Sequence, residues 1–342
     1  MILELCVVGA GPAGLCAAWE GQQRGWKTLI MDRATETGGV WAWAPPDMRT
    51  LSPRLRDGLP DGTQSRGEGE YARADEVLTQ LRDFAQKLTV DWQLGAEALA
   101  LETAPDGTLK VTTKAGIVTT RRLILATGQH DEPVIPPVQG LRSRPHSHSR
   151  SFDVSNVRPG QRVVVIGAGA SAADLVERLL ARQAVVTVSS RSPFPARKTP
   201  AVRGILASLS WAASGIPVAL LPPHLRCTNP TLALGSFLKT AQARGEITAV
   251  GATIGLSEAG VIVEVDGLVP AEHVIFATGY RSSLGWLGSP ALSPQGEPQQ
   301  RGGVSTTVTG LGFLGLSCMR TRRSGFLRGL PGDAAAVVRS LA

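Results

Sequence analysis

The periodicity of apolar and polar positions changes several times along this chain, and the changes mark its elements. Residues 2–8 are mostly apolar, as in a strand buried on both faces. A helical pattern follows to about Gly25, and KTLIMD, ending at Asp32, reads as the next strand. Residues 38–70 have little regular pattern and are rich in Gly, Pro, Trp and Arg, which is long for a plain connector and predicts a functional loop. A helix is predicted from about Asp75 to Leu88, with Asp75 as its cap. Strand-like segments cover 90–120, and RRLILATG makes a buried strand that ends at Gly128. The pattern then starts again. VVVIGAGASAADLV opens a second strand–turn–helix at Val163, AVVTVSSR ends near Arg191, weaker strands occupy 247–269, and HVIFATGY repeats the earlier ILATG. The tail holds a strand-like GLGFLGL and a final helix from about Gly332.

This internal repeat predicts an α/β protein with two Rossmann-like dinucleotide-binding domains. The Pro-rich DEPVIPPVQG marks the passage from one to the other. The first domain reads as discontinuous, 1–155 plus 280–342. The second covers 156–279 and carries an apolar insertion at about 200–245.

The chain of 342 residues fits two domains. Apolar residues make up 43% and charged residues 18%, so a core can form. The net charge of +7 is scattered, with no dense basic run between aromatics, which argues for anionic cofactors and against nucleic acid. Cys6, Cys16, Cys227 and Cys318 form no C-x-x-C pair, and the first two read as core thiols. That usage suits a reducing cytoplasm, and the apolar N-terminus reads as the first strand, not as a signal peptide. No metal-ligand cluster is evident. The uncharged stretch Ile205–Pro223 reads as a buried or lid-like helical pair in a soluble domain, with a surface patch for lipid or a greasy substrate as the alternative.

The glycines carry the chemistry. Gly9, Gly11 and Gly14 give G-x-G-x-x-G, for a tight turn, a close backbone approach to pyrophosphate, and helix–strand packing. The phosphates would meet the N–H groups of the helix that starts at Pro12, Ala13 and Gly14. Asp32 would accept the ribose hydroxyls and repel a 2′-phosphate, with Arg33 beside it. In the second repeat Gly167 and Gly169 keep their roles, followed by Ala170, Ser171 and Ala172, the last in the third glycine's place. Its second strand ends in Ser190 and Arg191, and an arginine there can pair with a 2′-phosphate. This assigns NADPH to the second cradle, with NADH as the alternative.

Pro12 and ETGGVW, Glu36 to Trp41, make the first cradle similar to the GxGPAG opening and GG-x-W loop of the two-dinucleotide flavoproteins, which implies FAD against Gly39, Val40 and Trp41. The rest of the chain resembles the class B flavin-dependent monooxygenases, in particular small bacterial members. The resemblance rests on ATGQHDEPVIPPVQG, HSRSF (His148 to Phe152), GASAAD, FATGY, RTLSPRLRDGLP, YARADEVL and RRSGFLRGLPGDA, and it covers nearly the whole length. It implies that Ala126, Thr127 and Gly128, Thr278 and Gly279, and Ser324 and Gly325 also line the cofactors. It implies a reaction in which NADPH reduces FAD, O2 adds at flavin C4a, and the peroxyflavin oxygenates a small sulfide, amine or ketone. Ser52 stands where many members have an asparagine that steadies the flavin adduct, and Arg54 is placed to hold NADP⁺ or a peroxide anion. His148 reads as a hinge or interdomain residue before a proton carrier. The chain is short for the family, which implies an open pocket. A homodimer is compatible with the pattern. A reductase that passes electrons to a disulfide or protein acceptor is the alternative, disfavoured because Ala13 occupies the place where some disulfide-reducing relatives carry a cysteine.

Overall fold

The computed structural model describes residues 2–194, 214–222 and 235–342. In chain order the strands that build the two cradles are β1 (Leu5–Val8), β2 (Thr28–Asp32), β3 (Asp91–Leu94), β4 (Leu123–Leu125), β5 (Ser147–His148), β6 (Arg162–Ile166), β7 (Val185–Ser189), β8 (Ile247–Val250), β9 (His273–Phe276) and β10 (Leu311–Phe313). The helices are α1 (Pro12–Gln23), α2 (Ala74–Ala85), α3 (Ala170–Ala181), α4 (Gly235–Ala243) and α5 (Leu330–Ser340).

The chain divides into two compact units. The first comprises Met1–Asp131, Gly204–Thr228 and Ser282–Ala342, and the second comprises Glu132–Arg203 and Asn229–Arg281. Residues 132–155 fall in the second unit because their backbone pairs there. Glu132–Pro133 pairs antiparallel with Tyr280–Arg281, and β5 pairs parallel with β9.

In the first unit the sheet runs β10-β4-β1-β2-β3, all parallel, with Val304–Ser305 and then Gln300–Arg301 added antiparallel beyond β10. β1 is apolar throughout because both faces are covered. One face packs Leu5 and Val7 with Leu15, Leu81, Phe84 and Val337 from α1, α2 and α5. The other packs Cys6 and Val8 with Leu109, Val111 and Phe313. The first half of α1 is buried on nearly every side, which its short side chains (Ala13, Gly14, Ala17, Ala18) permit.

In the second unit the order is β5-β9-β6-β7-β8, all parallel. The local order is the same in both: an ATG strand, the glycine strand, then the strand that follows the helix. The repeat also includes an antiparallel three-stranded sheet before each ATG strand, at Ala98–Thr120 and at Thr253–Pro270.

Several predicted boundaries shift. α2 starts at Ala74 and ends at Ala85, and Asp75 is not its cap: the Glu76 carboxylate accepts from the Arg73 N–H at 2.7 Å, while Asp75 pairs with the Arg73 guanidinium. α5 begins at Leu330, two residues before Gly332. The irregular 38–70 segment contains Arg49–Pro53, paired with Tyr71–Arg73, and two single 3-10 turns. Most of Ile205–Pro223, and Cys227, lie outside the described residues.

The tightest contact in the first unit is at Gly14, where a Cβ would lie 1.8 Å from the Gly9 carbonyl oxygen. Gly14→Ala is expected to lower stability by about 1–3 kcal/mol, as overpacking does, read as a fall in the thermal unfolding midpoint. The corresponding position in α3 is already Ala172, which is fully buried, so Ala172→Gly should cost the helix propensity of one residue, about 1 kcal/mol, plus the burial of one methyl group, about 0.8 kcal/mol.

Candidate cofactor cradles and the loop beside them

The two cradles have matching backbone bonds. In the first, Gly9 N–H donates to the Met31 carbonyl at 2.7 Å, and Ala126 N–H donates to the Val8 carbonyl at 2.8 Å. In the second, Gly167 N–H donates to Ser189 at 2.9 Å, and Ala277 N–H donates to Ile166 at 2.8 Å. Gly9 and Gly167 sit at φ +115° and +122°, and a Cβ there would lie 2.4 Å from the Ala126 oxygen and 2.3 Å from the Ala277 oxygen. The alanine of each ATG therefore presses its carbonyl onto the first glycine of its own cradle. Thr127, Gly128, Thr278 and Gly279 follow as partly exposed turn residues. The Thr278 hydroxyl is committed to the Val134 carbonyl.

Both helices start uncapped. Gly11 and Gly169 are their N-caps, no side chain bonds to either first turn, and neither first turn holds an acidic residue. The exposed N–H groups and the positive end of each helix dipole suit a phosphate. In the first cradle the segment Gly38–Gly39 crosses directly over the turn. Gly38 N–H donates to Ala10 O at 3.0 Å, and a Cβ on Gly39 would lie 2.9 Å from Gly11 Cα. Val40 and Trp41 continue as a 3-10 turn, with Trp41 packed on the core. Both crossing residues have to be glycine, Gly39 against the Gly11 backbone and Gly38 against Leu78, where a Cβ would lie 2.5 Å from Cδ1; the crossing lies beside the uncapped start of α1, and these residues fit FAD.

The two cradles differ at the end of the second strand. Asp32 Oδ2 accepts from Ala10 N–H at 2.6 Å and Oδ1 from Ala34 N–H at 2.8 Å, which orients the carboxylate while leaving it half-exposed. Arg33 pairs with Asp131. Strand register puts Ser189 beside Ile166 as Met31 is beside Val8, so Ser190 takes the place of Asp32 and Arg191 that of Arg33. Ser190 bonds locally to Ser192, and Arg191 is exposed. Ala170 and Ser171 are partly exposed in the first turn of α3, and Ala172 is buried. The cradles thus differ by a carboxylate against a hydroxyl at one position and share an arginine at the next: the carboxylate favours a free ribose, and its absence from the second cradle leaves a ribose phosphate unopposed.

The loop that holds Ser52 and Arg54 departs from expectation. Arg54 is buried, and its guanidinium is fully engaged. Nη1 donates to the Ser65 and Arg66 carbonyls and to Ser65 Oγ, each at 3.1 Å, Nη2 to the Glu68 carbonyl at 3.0 Å and Glu76 at 2.8 Å, and Nε to Gly69 at 3.4 Å. It braces the 54–76 loop and has no donor left for NADP⁺ or a peroxide. Ser52 is buried too, and its hydroxyl donates to Asp57 Oδ1 at 2.6 Å. Asp57 is the acidic group that sequence reasoning missed. It is 2% exposed, and its Oδ2 has no hydrogen-bond partner among the described residues. Burial pushes its pKa up to about 6, against the opposing pull of Ser52 and Arg328. Its only signal was a lone Asp in the quoted RLRDGLP.

Ser324 is likewise committed. It is 1% exposed, accepts from the Arg320 and Thr321 N–H groups, and donates to Asp333, which also holds Arg320 at 2.8 Å. It caps a tail turn, and its hydroxyl has no capacity left for a cofactor. Gly325 beside it has φ +84°. In the second unit, His148 Nδ1 accepts from Arg150 N–H at 3.2 Å, so Nε2 carries the proton and donates to the Gly279 carbonyl at 3.1 Å. Burial lowers its pKa, and the neutral ring is a bracket behind the second ATG turn.

Cys6 and Cys16 are fully buried in core clusters, and desolvation raises both thiols, Cys6 to about 12. Among the described residues no disulfide is present, no group of side chains could hold a metal ion, and no helix is long and apolar enough to cross a membrane.

Residues 6–208 match the family model of the pyridine nucleotide-disulphide oxidoreductases. The chain belongs to that family. It is an FAD-dependent oxidoreductase of the pyridine nucleotide class. Over 97% of its length it is 28% identical to an uncharacterized CzcO-like oxidoreductase of Geobacillus kaustophilus, covering 96% of that protein. Its fold is similar to a flavin-containing monooxygenase from Stenotrophomonas maltophilia, with a TM-score of 0.78, 24% identity, and coverage of 100% of this chain and 98% of that one. It is also similar to the bacillithiol disulfide reductase Bdr of Bacillus cereus, with a TM-score of 0.76, 18% identity, and coverage of 100% and 99%.

Asp57 gives the family member a pH signature. Its folded pKa of about 6 lies above the unfolded value of about 3.9, so the folded state binds the extra proton and stability falls as pH rises between those values. Asp57→Asn should match the wild type near pH 4 and exceed it in stability at pH 7 by on the order of 2–3 kcal/mol. Equal stability differences at both pH values, measured by denaturant unfolding, would show that the burial cost is met elsewhere.

Proposed function

We propose that this protein is an NADPH-dependent flavin monooxygenase that oxygenates a small molecule carrying a nucleophilic sulfur or nitrogen, or a ketone. The first unit is the FAD-binding domain and the second the NADPH-binding domain. Bound FAD supplies the redox and oxygen chemistry, and this chain supplies binding and orientation. Gly9, Gly11, Ala13 and Gly14 present the α1 N-terminus to the FAD pyrophosphate, Asp32 takes the adenosine ribose, and Gly39 lets the cofactor pass. Gly167, Gly169, Ala170 and Ser171 do the same for NADPH, and Arg191 takes its 2′-phosphate. Ser52 supports the flavin's reacting edge, with Asp57 directly behind it.

The observation that carries this reading is the pair of matched cradles that differ at Asp32 and Ser190. Two nucleotides of different chemistry in one chain call for electron transfer from one to the other. Neither core thiol suits a disulfide route, since Cys6 and Cys16 are buried and protonated. The likeness in fold to Bdr keeps a disulfide reductase as the second reading.

Stopped-flow absorbance separates the two. The yellow holoenzyme, reduced anaerobically by NADPH and mixed with O2, should show a long-lived absorbance distinct from reduced and oxidised flavin. Direct return of oxidised flavin with stoichiometric peroxide would instead favour the reductase. Arg191→Ala should raise the KM for NADPH by about tenfold or more while leaving NADH nearly unchanged, as expected for loss of a charge-assisted phosphate contact; equal losses for both nucleotides would remove Arg191 from the phosphate site.

A further inference from the structure

The strand Arg49–Pro53 is not held in phase by its ladder. Arg49 and Pro53 pair with Arg73 and Tyr71, so Thr50, Leu51 and Ser52 stand opposite Ala72 alone. A slip of one residue in a strand turns every side chain to the other face, so the phase of this segment needs another source. Thr50 and Ser52 are buried, while Arg49 and Leu51 are exposed. Two hydroxyls hold that arrangement. Thr50 Oγ accepts from the Ala72 N–H at 3.2 Å and donates to the Ser52 carbonyl at 2.8 Å. Ser52 Oγ donates to Asp57 Oδ1 at 2.6 Å.

Asp57 is fixed in turn from three directions. Its N–H donates to the Arg54 carbonyl at 3.1 Å, Gln80 of α2 donates to its carbonyl oxygen at 3.5 Å, and Arg328 of the tail faces its carboxylate. Arg56, one residue before it, acts on Arg328. Burial raises the carboxyl to about 6 while Ser52, Arg328 and Thr50 pull it down. At neutral pH it is therefore mostly ionised, and the Ser52 proton is committed to it.

The strand also starts beside the first cradle. The Ala74 N–H at the start of α2 donates to the Met48 carbonyl at 2.8 Å, and one helical turn later Leu78 lies against Gly38, which crosses the glycine turn. Arg49 reaches back to the Tyr71 carbonyl. With Thr50, Ser52 and Arg54 all bonded inward, Leu51, 41% exposed, is the side chain that the middle of the strand presents.

We propose that Asp57 is a positioning residue of the flavin site: by holding Ser52 on the inner face of the strand, it turns Leu51 outward against the bound flavin. This rests on the reading that the 49–57 segment supports the flavin's reacting edge. An apolar side chain there excludes water and offers no proton.

The test is visible circular dichroism of FAD in the holoenzyme, without nicotinamide nucleotide, between about pH 5 and about pH 8. The wild type should show one transition with its midpoint at about pH 6. Asp57→Asn should abolish the transition with FAD still bound. Ser52→Ala should move the midpoint to higher pH, because the Ser52 hydrogen bond favours the ionised form. Leu51→Ala should alter the spectrum at every pH and leave the midpoint in place. A merely structural Asp57 would shift the denaturant midpoint and leave the flavin spectrum unmoved. The proposal is overturned by a wild type without a transition, by a transition that survives in Asp57→Asn, or by a Leu51→Ala spectrum identical to the wild type. If Ser52→Ala fails to fold, Asp57→Asn, expected to gain stability at neutral pH, decides alone. The monooxygenase reading fails separately. The expected transition in a protein whose reduced flavin returns directly to the oxidised form under O2 leaves the positioning role standing in a reductase. A long-lived absorbance after O2 with no pH transition keeps the monooxygenase and removes Asp57 from its site.

Discussion

Each cradle depends on one backbone contact. The carbonyl of an ATG alanine, Ala126 or Ala277, presses onto a glycine at positive φ, Gly9 or Gly167, closely enough to exclude a side chain. That contact ties the ATG strand to the glycine strand at the point where the chain turns into the helix. It directs the helix N-terminus over the carboxyl edge of the sheet, where a parallel α/β sheet binds nucleotides. The repeated order of ATG strand, glycine strand and following strand, and the matching hydrogen bonds, follow from satisfying that contact twice.

With the same frame built twice, specificity falls to the few side chains that differ. In the first unit Asp32 is held by two backbone N–H groups, Ala10 and Ala34, so its carboxylate is already oriented. In the second, Ser190 and Arg191 occupy the equivalent places and carry no negative charge. A close crossing by Gly38 and Gly39 occurs over the first turn. The asymmetry is electrostatic at one end of the site and steric at the other.

The loop and the tail show a second kind of organisation. Arg54 and Ser324 resemble ligand-binding residues in sequence but spend their hydrogen-bonding capacity on their own chain, Arg54 on four carbonyls, a hydroxyl and Glu76, Ser324 on Asp333 and two N–H groups. This internal bracing leaves Asp57 buried with one oxygen that has no hydrogen-bond partner among the described residues.

The pattern of the sequence was enough for the two βαβ units, the ATG repeat and the identity of the residues at the cradle turns, because these obey local rules: period, glycine spacing and the residue that ends a strand. Boundaries shifted by a few residues where a cap could be supplied by more than one side chain, as with Asp75 and Glu76. The tertiary structure alone decided that residues 132–155 pack with the second unit, since strand pairing across more than a hundred residues leaves no local trace. It also decided that Arg54 and Ser324 are braces and that Asp57 is a buried acid. The reason is the same in each case: residue type states what a side chain can bond, but only packing states which partner reaches it first and whether water can still compete.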